Sequence, residues 1–163
     1  MVNADDFKLI MRRWASTVTI ITTRTNNEIY GLTATAFSSL SVQPPMVFVS
    51  IFRKTHTHPL IEQSGIFCVN FLASDMAHIS DRFAGRYPNE DRFAGLNYRV
   101  EATGAPVLAD AIAYLDCRVI EPLVTGDHTI FIGQVEAGGL QKPDQAPLLY
   151  YMGGYHTIDS KAE

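Results

Sequence analysis

Residues 31–54, GLTATAFSSLSVQPPMVFVSIFRK, hold the densest set of side chains able to grip a ligand. The stretch opens on Gly31 and a cluster of small groups: Thr33, Ala34, Thr35, Ser38, Ser39 and Ser41. It turns at Pro44-Pro45, runs apolar over 46–51, and ends on two cations, Arg53 and Lys54. Small side chains let a flat molecule reach the backbone, hydroxyls and N–H groups bond its polar edge, and cations meet a phosphate. The chemistry implied is the binding of a planar aromatic ligand that carries a phosphate. Arg53-Lys54-Thr55 can equally be a solvated strand end. The anion-binding interpretation gains from Thr57, which is placed to start a helix whose N-terminus favours negative charge.

A second constellation is Gly126-Asp127-His128-Thr129. A histidine beside an acid at a hairpin mouth can project into a cleft. Equally, Asp127 can bond the turn backbone and leave His128 on the surface. His56 and His58 form an H-x-H, but nothing nearby supplies the further ligands a zinc site requires. His58 is therefore expected to help open a helix and His56 to face solvent. The chain carries no G-x-G-x-x-G, no G-x-x-x-x-G-K-[ST], no G-x-S-x-G and no CxxC. Dinucleotide-fold, P-loop, serine-hydrolase and thioredoxin-type sites are thus not written here.

The chain is long enough, at 163 residues, for one domain with a real core. Its composition, 47% apolar and 18% charged, is that of a folded protein. The net charge of −4 argues against nucleic-acid binding through a basic face. No apolar run reaches the roughly 18 residues needed to cross a bilayer. The start contains Asp5 and Asp6 and lacks the pattern of a signal peptide, so a cytoplasmic protein without membrane contact is expected. Cys68 and Cys117 sit in apolar runs and are expected as buried free thiols in preference to a disulfide.

The elements that must hold these residues follow from pattern. Asn3 caps a first helix whose apolar face is Phe7, Ile10, Met11 and Trp14, ending near Ala15-Ser16. Residues 18–25 and 28–32 form a hairpin about Asn26-Asn27. Residues 33–41 are too small and polar for a core strand, whereas 46–52 are expected as a strand buried on both faces. Thr57 caps a short helix that Gly65 ends, 66–72 form a strand, and Ser74 caps a helix through Met76, Ile79 and Phe83. Asp81-Arg82-Phe83-Ala84-Gly85 recurs as Asp91-Arg92-Phe93-Ala94-Gly95, the first copy ending a helix and the second lying in a loop. Strands are expected over 113–119 and 129–135, with a turn at 125–127 and a break or bulge at Gly138-Gly139. Residues 148–152 form a last apolar segment, Gly153-Gly154 leads into Tyr155, and 160–163 are a polar tail. The sum is six or more strands with three helices. Without regular βαβ alternation, a closed or partly open antiparallel barrel with peripheral helices is favoured.

Four segments in this order resemble the short-chain flavin reductase family: GLTATAFSSLSVQPPMVFVSI, RFAG at 82–85, GDHTIFIGQV at 126–135 and PLLYYMGGYH at 147–156. The resemblance covers essentially the whole chain. It implies a mainly β fold, a split antiparallel β-barrel with peripheral helices, in one domain spanning 1–163. It implies a homodimer that moves a hydride from NADH or NADPH to FMN or FAD and supplies a separate oxygenase. By position, Thr33, Ala34, Thr35, Ser38 and Ser39 would hold the isoalloxazine and ribityl, with Ser50 and Ile51 along the ring. Arg53, Lys54, Thr55 and Thr57 would serve the phosphate, and Phe83 and Ala84 would close over the ligand. His128 would line the nicotinamide side, with Tyr155 nearby. Such a reaction needs stacked rings and orientation more than an acid–base pair, which fits the absence of a carboxylate dyad. The rivals are a split barrel that binds flavin as a carrier or sensor without turnover, and a related oxidase acting on a pyridoxine-like substrate. The first would lack a residue such as His128, and the second would want a second basic pocket.

Overall fold

In the computed structural model, which describes residues 1–158, helix α1 (Ala4–Met11) leads into five strands. These are β1 (Ser16–Thr17), β2 (Thr19–Arg24), β3 (Ile29–Ala34), β4 (Phe37–Val42) and β5 (Pro45–Phe52). Then come α2 (Thr57–Ser64), β6 (Ile66–Phe71), α3 (Ala77–Phe83), β7 (Tyr98–Val100) and β8 (Pro106–Leu108). A long hairpin, β9 (Ala113–Thr125) and β10 (His128–Leu140), precedes β11 (Leu149–Tyr151) and β12 (Gly154–His156). The polar tail expected at 160–163 lies outside the described residues.

Seven strands make one sheet in the order β3-β2-β6-β9-β10-β5-β4, every neighbour antiparallel. The sheet coils about Ile21, Val49, Phe67, Val69, Cys117 and Phe131, drawn from β2, β5, β6, β9 and β10. Its outer strands β3 and β4 do not pair, so the barrel is split. A second core under α3 joins Val18, Leu72, Ile79, Phe83, Leu108 and Leu148 outside it.

Several local expectations hold. Asn3 Oδ1 accepts from the Asp5 and Asp6 N–H groups at 3.1 and 2.9 Å, capping α1. The β2–β3 hairpin pairs Arg24 with Ile29 across Asn26-Asn27. Gly65 sits at φ +67° and ends α2, a conformation only glycine adopts without strain.

Others need correction. α1 stops at Met11, well short of Ala15-Ser16, and its apolar side chains are uncovered, Phe7 being 57% exposed and Trp14, beyond the helix end, 70%. Residues 37–42 do form a strand, but the sheet's mostly exposed outer one and not a core strand. Small polar side chains suffice there because only one neighbour, β5, needs to be paired, and a bulge lies between Ser39 and Ser41. β5 is not buried on both faces: Val47, Val49 and Ile51 point into the barrel, while Met46, Phe48 and Ser50 are only half covered. Ser74 does not cap α3. Its N–H donates to Ala146 O at 2.9 Å, and the helix starts three residues later. The Gly138-Gly139 pair does not break β10. It faces Leu115 and Tyr114 in register, where added Cβ atoms would stand 3.0 and 3.1 Å from those side chains, and the two irregularities fall at 132–133 and 135–137 instead.

The cysteines are buried and free. Cys117 pairs with Phe67, and Cys68 with Asp116, so the two lie one step out of register on neighbouring strands and leave opposite faces of the sheet. Burial first, then the Asp116 charge, pushes the Cys117 thiol up to about 12 and Cys68 well above its ordinary value. A disulfide reagent at pH about 8 is therefore expected to titrate no thiol in the folded protein and both in denaturant. Rapid labelling of the native state would contradict the burial.

Candidate functional site

A cleft of about 430 Å³ opens where the ends of β3, β5 and α3 meet the head of α2. That volume lies within the roughly 300–1,000 Å³ of small-molecule sites. Each wall is fixed by a specific tie. Thr33 Oγ1 donates to Ser80 O at 2.5 Å, fastening β3 to α3. Gly31 lets the Phe83 ring lie on β3, since a Cβ there would stand 2.8 Å from Ile21 O and 3.0 Å from that ring. The Arg53 N–H donates to Asp127 O at 3.0 Å, and His128 pairs with Phe52. The β9–β10 turn is thereby clamped to the end of β5, which puts His128 at the cleft's mouth.

The polar groups on these walls are unevenly satisfied. Thr57 is wholly buried, and its Oγ1 has no hydrogen-bond partner among the described residues. It is the first residue of α2, where the backbone N–H groups also lack intrahelical acceptors. Next to it, His56 Nε2 lies 3.1 Å from Glu28 Oε2, with its ring edge-on to Tyr30 at 4.6 Å. The Arg92 guanidinium covers the same Tyr30 ring, also at 4.6 Å. At the mouth, His128 Nδ1 is 2.7 Å from Asp127 Oδ1. That hydrogen bond holds the Asp127 carboxyl below its ordinary value. A carboxylate only accepts, so Nδ1 is the donor of this bond, and Nε2 is the ring atom left for a ligand.

The cleft brings together Thr33, Ala34, Thr35, Ser50, Ile51, Thr55, Thr57, Phe83, Ala84 and His128, as the sequence predicts. Ser38 and Ser39 are elsewhere, exposed on β4 because the chain has already turned away at Ala36. Arg53 and Lys54 are exposed in the turn before α2 and do not line the cavity. Thr57 is a first helical residue and not the cap, a position held by His56 without a side-chain bond. Tyr155 lines an adjoining depression of about 200 Å³ that shares Thr33, Thr35 and Ala84 with the cleft. Its hydroxyl donates to Asp81 Oδ1 at 2.6 Å, and burial together with that carboxylate pushes its pKa up. Sequence reasoning missed Tyr30, Leu32, Ala36, Phe52, His56 and Arg92. Two of these carried a signal, Arg92 as part of the second copy of the Asp-Arg-Phe-Ala-Gly repeat and His56 as half of the H-x-H. His58, the other half of the H-x-H, is buried against Thr129 Oγ1 at 2.8 Å.

These donors suit a flavin. Small side chains floor the cleft, and a buried hydroxyl without a partner meets a helix N-terminus at one end. The family model described as flavin reductase like domain matches residues 11–159. The chain belongs to that family. It is 35% identical over 153 residues to the FMN reductase (NADH) RutF of Variovorax paradoxus, covering 94% of this chain and 84% of that one. It is 32% identical over 154 residues to HsaB, the reductase subunit of a flavin-dependent monooxygenase of Mycobacterium tuberculosis, covering 94% and 81%. The solved flavin reductase PheA2 superposes with a TM-score of 0.89 at 36% identity, covering 98% of this chain and all of that one. The family match thus includes every element of this flavin reductase chain that lines the cleft. No helix among the described residues is long and apolar enough to cross a membrane.

Proposed function

We propose that this flavin reductase moves a hydride from NADH or NADPH to FMN or FAD held in the cleft and passes the reduced flavin to a separate oxygenase component. When bound, the flavin supplies a tricyclic ring that accepts hydride. The protein's part is to fix two rings face to face and to balance charge around them. Thr33, Ala34 and Thr35 lie close enough to the cleft's floor for a flat ring to meet backbone, and Ser50 and Ile51 border it. Thr55, Thr57 and the first turn of α2 receive the phosphate, with Arg53 and Lys54 adding positive potential from the rim. Phe83 and Ala84 cover the opposite edge. Supporting all of this is one observation: the buried Thr57 hydroxyl has no hydrogen-bond partner among the described residues.

His128 takes the role of orienting the nicotinamide. His128 lines the cleft with Nδ1 held by Asp127, which leaves Nε2 for a carboxamide N–H. His128→Asn is expected to raise the KM for reduced nicotinamide by about tenfold, with kcat falling no more than about threefold, the loss of one oriented hydrogen bond. A collapse of kcat at saturating nicotinamide with KM unchanged would assign His128 to the chemical step instead. The whole reading is tested by adding FMN, FAD or riboflavin to the purified protein and following oxidation of NADH and NADPH. Turnover that does not depend on added or bound flavin would refute it.

Residues 1–163 are taken as one flavin reductase-like domain, supported by a family match that runs almost end to end. A homodimer is supported by the uncovered apolar side chains of α1 and the turn after it, with Phe7 at 57% and Trp14 at 70% exposure. A reducing compartment such as the cytoplasm suits two free thiols.

A further inference from the structure

His58 is the half of the H-x-H that does not line the cleft, and it sits between the cleft's two ends. Its side chain is 7% exposed, and Nε2 lies 2.8 Å from Thr129 Oγ1, on a residue that is itself wholly buried. The ring is held on two further sides. Nδ1 stands 3.5 Å from Glu62 Oε2, one turn along α2, and the Phe131 ring lies 5.4 Å away at a tilt of 57°. Four side chains of α2 are buried: Thr57, His58, Leu60 and Ile61. Of these, only His58 makes a side-chain hydrogen bond among the described residues. Thr129 lies on β10, opposite Ile51 of β5. The places of the two partners in the chain matter. His58 follows Thr57, the hydroxyl at the phosphate end, and Thr129 follows His128, at the cleft's mouth. One buried hydrogen bond thus joins two segments that each carry an anchor of the cleft.

We propose that His58 is a positioning residue: through Thr129 it sets the spacing between the phosphate end of the cleft and His128, and with it the alignment of the nicotinamide on the flavin ring. The proposal rests on the flavin reductase reading of the cleft itself. In that reaction the hydride carries both electrons from NADH, leaving NAD⁺, to the flavin ring. It is fast only when the reacting atoms stand about 3–3.5 Å apart, and a misplacement of about 1 Å can cost about 10²-fold. The two anchors belong to different elements, α2 and β10. The chain between β5 and α2 is a turn in which Arg53, Lys54 and His56 are exposed. A buried tie therefore fixes what an exposed turn leaves free. Packing alone does not explain a polar pair at this place, because two apolar groups of the same shape would serve stability nearly as well. What a hydrogen bond adds is direction, since it is strong only over a narrow range of distance and angle.

Single-turnover kinetics on the full chain separate positioning from support. The protein is saturated with FMN without oxygen and mixed with NADH, and the rate of flavin reduction is read at saturating NADH. Thr129→Val keeps the side chain's shape and suits a strand. It is expected to slow hydride transfer about tenfold or more, with the FMN Kd and the NADH concentration for half-maximal rate each within about threefold. Thr129→Ser, which keeps the hydroxyl, returns most of that rate. The double variant His58→Leu/Thr129→Val removes both polar partners, so its denaturant midpoint recovers towards that of wild type while its hydride transfer stays slow. Should Thr129→Val alone not fold, the double variant decides by the same rate. A rate within about twofold of wild type, a loss carried by the FMN Kd in its place, or a rate that recovers together with the midpoint in the double variant would overturn the proposal. Absence of FMN binding to wild type would instead sink the reading of the cleft.

Discussion

Thr57→Val is expected to make the flavin-free protein harder to unfold and, at the same time, poorer at holding flavin. The Thr57 hydroxyl is wholly buried at the head of α2 and bonds to nothing among the described residues. Burying a hydroxyl without a partner costs about 1–3 kcal/mol, and a methyl of the same size carries no such cost. The valine variant should therefore gain about 1 kcal/mol or more of unfolding free energy when no ligand is present, read as a higher denaturation midpoint. A ligand phosphate that accepts from this hydroxyl loses a hydrogen bond to a charged group, worth about 1.5–3 kcal/mol, so flavin affinity should fall at least about tenfold. Thr57→Ser is the control, keeping the hydroxyl and hence the affinity. Denaturant titration and flavin titration on the same three proteins supply both readouts. Opposite signs mark a group kept for binding at the expense of stability. Unchanged flavin affinity in the valine protein would remove the phosphate from the α2 head.

Gly133→Val is expected to be the most damaging single substitution inside the barrel. Gly133 sits on β10 between Val47 and Val119. A Cβ there would stand 2.5 Å from Phe67 Cζ, 2.7 Å from its Cε1 and 3.0 Å from Cys117 Cβ. Phe67 is fully buried among Ile21, Val49, Val69 and Phe131, so its ring has nowhere to go. Overpacking of this kind costs about 1–3 kcal/mol for one added carbon, and Gly133→Val adds three, so a loss of about 3 kcal/mol or more is expected. Phe67→Leu in the same chain should return part of that loss by clearing the space, a coupling that a double-mutant cycle measures. A neutral Gly133→Ala, judged by the denaturant midpoint, would show that the ring is not held as the packing requires.

What the sequence made legible follows from how local each cause is. Asn3, Gly65 and Asn26-Asn27 act through their nearest neighbours, and each does in space what its type implies. The floor of the cleft was legible too, because Thr33, Ala34 and Thr35 sit together in sequence and stay together in space. Ser38 and Ser39 were not separable from them. They belong to the same small-residue run, and only the bend at Ala36 carries them onto an outer strand. Tyr30, His56 and Arg92 come from three distant segments, and nothing local marks them as one wall. Nor does sequence reveal that the apolar outer face of β5 stays half open, since an apolar residue looks the same whether it is covered or not.

The two Asp-Arg-Phe-Ala-Gly copies clasp one another: Arg82 donates to Ala94 O at 2.8 Å, Arg92 to Phe83 O at 2.8 Å, and the Phe83 and Phe93 rings meet edge to face at 5.2 Å. Cutting either arginine slackens both pentapeptides, so the second cut should matter far less than the first. Change in this pair is therefore epistatic. A lineage can drift at neither arginine alone without unmooring the loop, which ties the pace of its sequence change to that of the helix end it grips.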